Sequence, residues 1–223
     1  LYDNFNLISR ALAQLDPERP SFSCLCFEQE LPRTAALDMQ MIIFDRYPIR
    51  KGVKPGDYDL RSFIPLLDSL NKHAGKRPYW MVLQTFAMRD RPDGVRYPTA
   101  AEFRAMVWLS LGRNAKGIFY FLHNSFTQEE ELQGLVDLEL RPHPLYGDVS
   151  KMSVDLKRLA PTLLAIQPSA PRVEEAEGFD VRSFTDSAGK AYAIVTNLNV
   201  LKDGAFSGRL LPAAGSSPAR IRN

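Results

Sequence analysis

The polar residues best placed for chemistry stand at the ends of four short apolar runs. Glu28 follows the run 21–27, and Asp45, Arg46 and Tyr47 follow the run 39–44. Gln84 lies near the end of the run 79–86, and His123 with Asn124 closes the run from Gly117. Two carboxylates on neighbouring strands suit general acid–base work, because like charges held close push their pKa values apart and keep one protonated. Tyr47, Gln84, His123 and Asn124 offer an aromatic face and hydrogen-bonding groups to a polar ligand. Each also has a purely structural alternative. Asp45 can bond Arg46 or a loop amide, Gln84 a neighbouring strand end, and His123 can be a satisfied structural histidine. Trp80, early in its run, reads as core.

Other chemistries find no support. The histidines, at 73, 123 and 143, form no His-x-His or His-x-x-x-His pair, so no metal site is expected. No glycine-rich phosphate loop is present, and no lysine ends a strand to form a Schiff base. Cys24 and Cys26, two apart, would point to one face of a strand roughly 7 Å apart, a poor disulfide geometry. They are expected to be small buried core residues.

The elements that must position these groups alternate in type. Residues 1–15 place Leu1, Phe5, Ile8, Leu12 and Leu15 at helical spacing, and Asp16-Pro17 stops the helix. Strands are expected at 21–27, 39–44, 79–86 and 117–123. The last two are nearly continuous apolar runs, as strands buried on both faces are. The connection 29–37 has room for a turn or two of helix. A helix at 59–73 carries Phe63, Leu66, Leu67 and Leu70 and ends at Gly75. The capping box Thr99-Ala-Ala-Glu102 starts another at 100–112, bearing Phe103, Val107 and Leu111. Residues 124–144 read as a long loop with a capping signal at 127–130, and a helix at 146–166 is expected to break or kink near Pro161. Helices alternating with buried strands mean a parallel α/β sheet with right-handed crossovers, with functional groups at the strands' carboxyl ends. For the last strand the parity is open. Either Phe119, Phe121 and His123, or Tyr120, Leu122 and Asn124, line the interior.

Beyond Pro168 the pattern changes. Runs at 173–175, 179–184, 191–197 and 205–211, separated by turn signals such as Asp186-Ser-Ala-Gly189, have antiparallel β character. Some fifty residues are too few for a complete sandwich.

With 223 residues, a net charge of +2, 45% hydrophobic and 24% charged residues, the composition is that of an ordinary globular chain. So small a net charge makes no electrostatic case for nucleic acid or an anionic membrane. No run approaches the roughly 20 apolar residues of a membrane span. The first residue is Leu and no signal segment follows it, so the chain reads as trimmed and its compartment is unreadable there.

In order, LDPERP, a strand, DRYPI, YWMVLQTF, RYPTAAEFRAMVWLSLGRNAKGIFYF and LKRLAPTLL resemble the glycoside-hydrolase TIM barrels. The likeness covers about residues 1–200. It is strongest to the β-galactosidase-like and uncharacterised glycosidase-like barrels of the retaining clan, with catalytic residues on strands four and seven. It implies that residues 1–168 are the C-terminal half of a (β/α)8 barrel, strands five to eight, and that 169–223 begin a C-terminal β-sandwich-like domain. The N-terminal half, with strands one to four, is then missing, which would leave two unpaired edges. The implied activity is hydrolysis of glycosidic bonds in an oligo- or polysaccharide substrate, without cofactor, in a secreted or periplasmic protein. Asp45 and Glu28 are the catalytic candidates, within roughly the 5 to 9 Å that paired carboxylates use. Tyr47, Gln84, His123 and Asn124 are the substrate-binding candidates. The basic loops 50–55 and 89–96 follow strands on the same barrel face and either rim a cleft for acidic sugars or form a solvated surface. Two departures stand out. The clan's acid/base glutamate would precede Leu1, and its nucleophile aligns near Gln84, an amide that cannot serve as a carboxylate nucleophile. A non-catalytic carbohydrate-binding or scaffold protein on a decayed barrel is the alternative.

Overall fold

The computed structural model describes residues 2–53, 58–89, 91–126, 132–171, 173–174, 176–209, 211 and 220–222. The signal at 127–130 and parts of the loops 50–55 and 89–96 lie outside them.

Helix α1 (Tyr2–Leu15) leads into strand β1 (Phe22–Leu25). A 3-10 segment (Glu28–Ala36) then connects to β2 (Met41–Arg46). Next come α2 (Tyr58–Ala74), β3 (Tyr79–Gln84) and the short β4 (Ala87–Met88). Helix α3 (Ala100–Gly112), β5 (Gly117–Phe121), the short β6 (Leu132–Gln133) and α4 (Leu145–Ala165) complete the α/β part. Strands β1, β2, β3 and β5 form one parallel sheet in that order. Strands β4 and β6 pair separately and antiparallel.

Alternation sorts the side chains of this sheet. Leu25, Ile42, Phe44, Tyr79, Met81 and Leu83 pack with Phe63, Leu67 and Leu70 of α2 and Phe103, Met106 and Val107 of α3 in the main core. Full burial of each such side chain contributes about 1.5–3 kcal/mol. Met41, Ile43 and Val82, with half-buried Trp80 and Phe121, cover the opposite face. Gly117 lies opposite Trp80 in register, and a Cβ there would fall 2.4 Å from the indole, so the ring itself fills the glycine's place.

Burial on both faces holds for the inner strands β2 and β3 but not for β1 and β5. They are the sheet's two edges, so Phe22 and Phe119 (44% exposed) stand open. The apolar face of α1, with Ile8, Leu12 and Leu15, is likewise exposed. On β5, Phe119 packs against Trp80 and Phe121 against Tyr47, whereas Ile118 and Tyr120 join the main core. That settles the open parity. The Phe121–Leu122 peptide is cis.

The helix signals hold closely. Thr99 and Glu102 form the reciprocal capping box, and Gly75 ends α2 at φ +63°. Helix α4 runs unbroken through Pro161. Helix α3 is apolar nearly all round because both sides are covered. Sheet strand β3 lies on one side, and a second sheet lies on the other. That second sheet is antiparallel, with strands β7 (Gln167–Pro168), β8 (Phe179–Thr185) and β9 (Ala191–Asn197). Asp186 closes its hairpin by accepting from the N–H groups of Ala188 and Lys190, with Gly189 at φ +80°. Strands β10 (Ser207–Arg209) and β11 (Arg220–Arg222) pair with each other.

Candidate functional site

Strand β2 is apolar from Met41 to Phe44 and turns polar at its carboxyl end. Asp45, two residues beyond Ile43, shares the sheet face of Met41 and Ile43, opposite the main core. Its carboxyl group is half-buried, with the Tyr47 hydroxyl nearby. Its Oδ1 is buried with no hydrogen-bond partner among the described residues. Burial raises the pKa of Asp45 above the ordinary carboxylate value, outweighing the opposing effects of the nearby Tyr47 hydroxyl and the Arg46 charge. Tyr47 is pushed upward in turn, by burial first and by Asp45 second, so it stays a proton donor.

The Tyr47 ring is wedged in place. It meets Phe86 edge-on at 4.9 Å and stacks on Phe121 at 5.7 Å. Asp45 and Tyr47 thus form the floor of a cleft of about 300 Å³, walled by Cys26, Arg46, Arg50, Arg91 and Asp93. A carboxyl group held this way carries a proton more readily than an ordinary carboxylate does.

The cleft wall is built from the loops after β2 and β3, which are laced together. Lys51 N–H donates to Gly94 O at 2.9 Å and Arg96 N–H to Ile49 O at 3.1 Å, around a bridge between Arg50 and Val95. Gln84 locks this ladder to the sheet. Its Oε1 accepts from Ile49 N–H at 3.0 Å, and its Nε2 donates to Ile49 O at 3.0 Å and Arg96 O at 2.6 Å. The side chain is 0% exposed, so its amide faces backbone and not the cleft. Bonding a neighbouring strand-end segment is the role that the structure gives it.

The remaining sequence-derived residues are dispersed. Strand β1 ends at Leu25, so Glu28 opens the 3-10 segment instead of ending a strand, and it is exposed outside the cleft. Cys24 and Cys26 are exposed free thiols, not core residues, because β1 is an edge strand whose face away from the main core is uncovered there. Burial, with Asp45 nearby, raises Cys24 to about 11, so its thiol is not activated. His123 and Asn124 are exposed and bonded to each other, Nδ1 to Oδ1, at 2.5 Å. His123 borders a different hollow of about 380 Å³ along the β5 edge, with Tyr146 and Ser150. Trp80 packs with Met41, Ile43 and Val82 on the face opposite the main core.

Several residues were missed at the sequence level. Arg96 donates to both carboxylate oxygens of Glu102, at 2.8 and 2.9 Å, and extends the capping box into the cleft wall. Burial would raise Glu102, but Arg96 and Thr99 hold its pKa below the usual value. Tyr97 stacks on His143 at 3.7 Å in a hollow of about 490 Å³ beside Arg89, Asp137 and Arg141. Arg113, 2% exposed, joins three elements. Its guanidinium donates to Asp68 of α2 at 2.8 Å and to both oxygens of Asp180 on β8 at 2.8 and 3.0 Å. Burial alone would raise Asp180, yet Arg113 and Arg182 keep it lowered. Only spacing within the RYPTAAE segment carried a signal for any of these.

Among the described residues no group of three or more His, Cys, Asp or Glu could hold a metal ion. No helix among them is long and apolar enough to cross a membrane. No family model and no curated protein matches the chain. Solved structures do. The chain is similar to a β-galactosidase from Bacillus circulans sp. alkalophilus, at 12% identity and TM-score 0.60, covering 75% of this chain and 25% of that one. It is also similar to one from the psychrophilic Marinomonas ef1, at 15% identity and TM-score 0.58, covering 77% and 29%. A catalytic mutant of a β-galactosidase from G. stearothermophilus matches at 13% identity and TM-score 0.54, covering 71% and 25%. The chain thus spans 25% to 29% of the length of these three proteins. At such identity the likeness is one of fold: this mixed α/β chain with its parallel sheet folds like part of the TIM-barrel glycoside hydrolases.

Proposed function

We propose that the chain is the C-terminal half of a barrel-type glycoside hydrolase, strands five to eight followed by part of a β-domain, and that Asp45 supplies proton chemistry to a bound saccharide. The observation that carries this reading is the Asp45 carboxyl group. It sits at the carboxyl end of an inner parallel strand, half-buried, with a raised pKa and one oxygen that has no partner among the described residues. Barrel enzymes keep their chemistry at that end of the sheet. A carboxyl group with a raised pKa can protonate the leaving glycosidic oxygen, while water supplies the hydroxyl taken up by the sugar carbon.

Four more strands would pair with the open edges of β1 and β5 and cover Phe22, Phe119 and the apolar face of α1. Glu28 is exposed outside the cleft, so the second carboxylate is assigned to those strands. Tyr47 packs beside Asp45, and His123, which borders a separate hollow, has no part at this cleft. The test is Asp45→Asn in the full protein with a panel of oligosaccharides. Loss of turnover by about 100-fold or more, with binding retained, is expected for a general acid. Unchanged turnover removes Asp45 from the mechanism.

A second reading, non-catalytic carbohydrate binding, is favoured by one observation. The end of β3 carries Gln84, an amide fully committed to backbone, where the related clan would place its nucleophile. Oligosaccharide binding without any cleavage by the full protein would select it.

A further inference from the structure

We propose that the Asp45 cleft takes a saccharide bearing a negatively charged group, a carboxylate or sulfate, and that Arg46 reads that charge. This rests on the carbohydrate reading above and names its substrate class. Three guanidinium groups, of Arg46, Arg50 and Arg91, line the cleft beside the carboxylates of Asp45 and Asp93. Asp93 projects into solvent and lies 3.8 Å from Arg91, so its charge is already answered. Asp45 is half-buried, and its environment favours the neutral form more than an ordinary carboxylate's would. Among the described residues that line the cleft, guanidinium groups outnumber carboxylates.

Arg46 is the residue left over. It is exposed and forms no hydrogen bond or ion pair among the described residues, and its influence there is on the nearby Asp45. The wall around it is fixed in advance. Arg50 Nη1 donates to Asp93 O at 3.4 Å, and Lys51 Nζ donates to Arg89 O at 2.8 Å, across the ladder that joins the two loops. A neutral sugar can take single hydrogen bonds from Arg46. A carboxylate or sulfate can take the planar fork with two charge-assisted bonds.

The experiment is calorimetric titration of the full protein with oligouronides, each paired with its carboxyl-reduced counterpart of identical linkage and length. The acidic member should bind about tenfold tighter or more, which is the worth of one charge-assisted contact. Arg46→Gln should weaken the acidic member about tenfold or more and the neutral member far less, so that the preference is lost, and raising the salt should shrink it in the unaltered protein. Equal affinity for both members overturns the inference but leaves the carbohydrate reading standing. Binding of neither overturns both. If inorganic sulfate displaces the acidic oligomer at equal concentration, the cleft reads charge alone, and the saccharide assignment fails.

Discussion

Replacing Gln84 by Met tests whether the amide at the end of β3 is a brace or a ligand contact. Met has nearly the same shape, so the core is not opened, but both ends of the amide are lost. Ile49 O keeps the bond from Arg96 N–H at 3.1 Å. Ile49 N–H and Arg96 O lose their Gln84 partners, at 3.0 and 2.6 Å, inside a segment the side chain keeps dry. Each stranded backbone group costs about 1–3 kcal/mol, and about 3 kcal/mol is expected for the pair because a loop can relax. For a chain of this size that is a fall in Tm of about 6–12 °C. Thermal unfolding followed by circular dichroism measures it directly. Gln84→Glu should be no better, since a carboxylate would face two carbonyls without a proton to offer. A Tm change under about 2 °C in Gln84→Met, together with weakened saccharide binding, would refute the reasoning and return Gln84 to the ligand.

Two further perturbations probe the frame that holds the cleft. Arg113→Met leaves Asp180, 9% exposed, with only the longer contact to Arg182 at 3.3 Å. A loss of about 3 kcal/mol is expected, with faster hydrogen exchange in β8 and β9, and unchanged exchange there would show that Arg113 does not fasten the second sheet. Glu102→Gln should cost about 2–3 kcal/mol near neutrality, toward the low end for a buried pair because Arg96 is 22% exposed. The folded pKa of Glu102 lies below its reference value of 4.5. Its contribution is therefore complete above about that pH and fades as pH falls through the folded value. Denaturant titrations should find wild type and variant converging in acid, and a gap independent of pH would contradict the ion pair.

By itself the sequence determined the order and kind of the elements. Apolar runs and caps are local signals, and the Thr99–Glu102 box, Gly75 and the Asp186–Gly189 turn all formed where their residue types required. It also determined that Asp45 would share a face with Met41 and Ile43, because strand parity is fixed by the backbone. The tertiary structure decided what no local pattern carries. Gln84 finds its partners 12 and 35 residues away along the chain, and Arg113 finds Asp180 a full 67 residues away. The exposure of Cys24, Cys26 and Phe119 depends on which strands lie at the sheet's edges, a property of strand order and not of composition. Glu28 left the strand end because β1 stops at Leu25, where pairing with Phe44 ends. Side-chain types named the chemistry, but only the folded contacts determined which polar groups are satisfied and which, like Asp45 Oδ1, are left without a partner among the described residues.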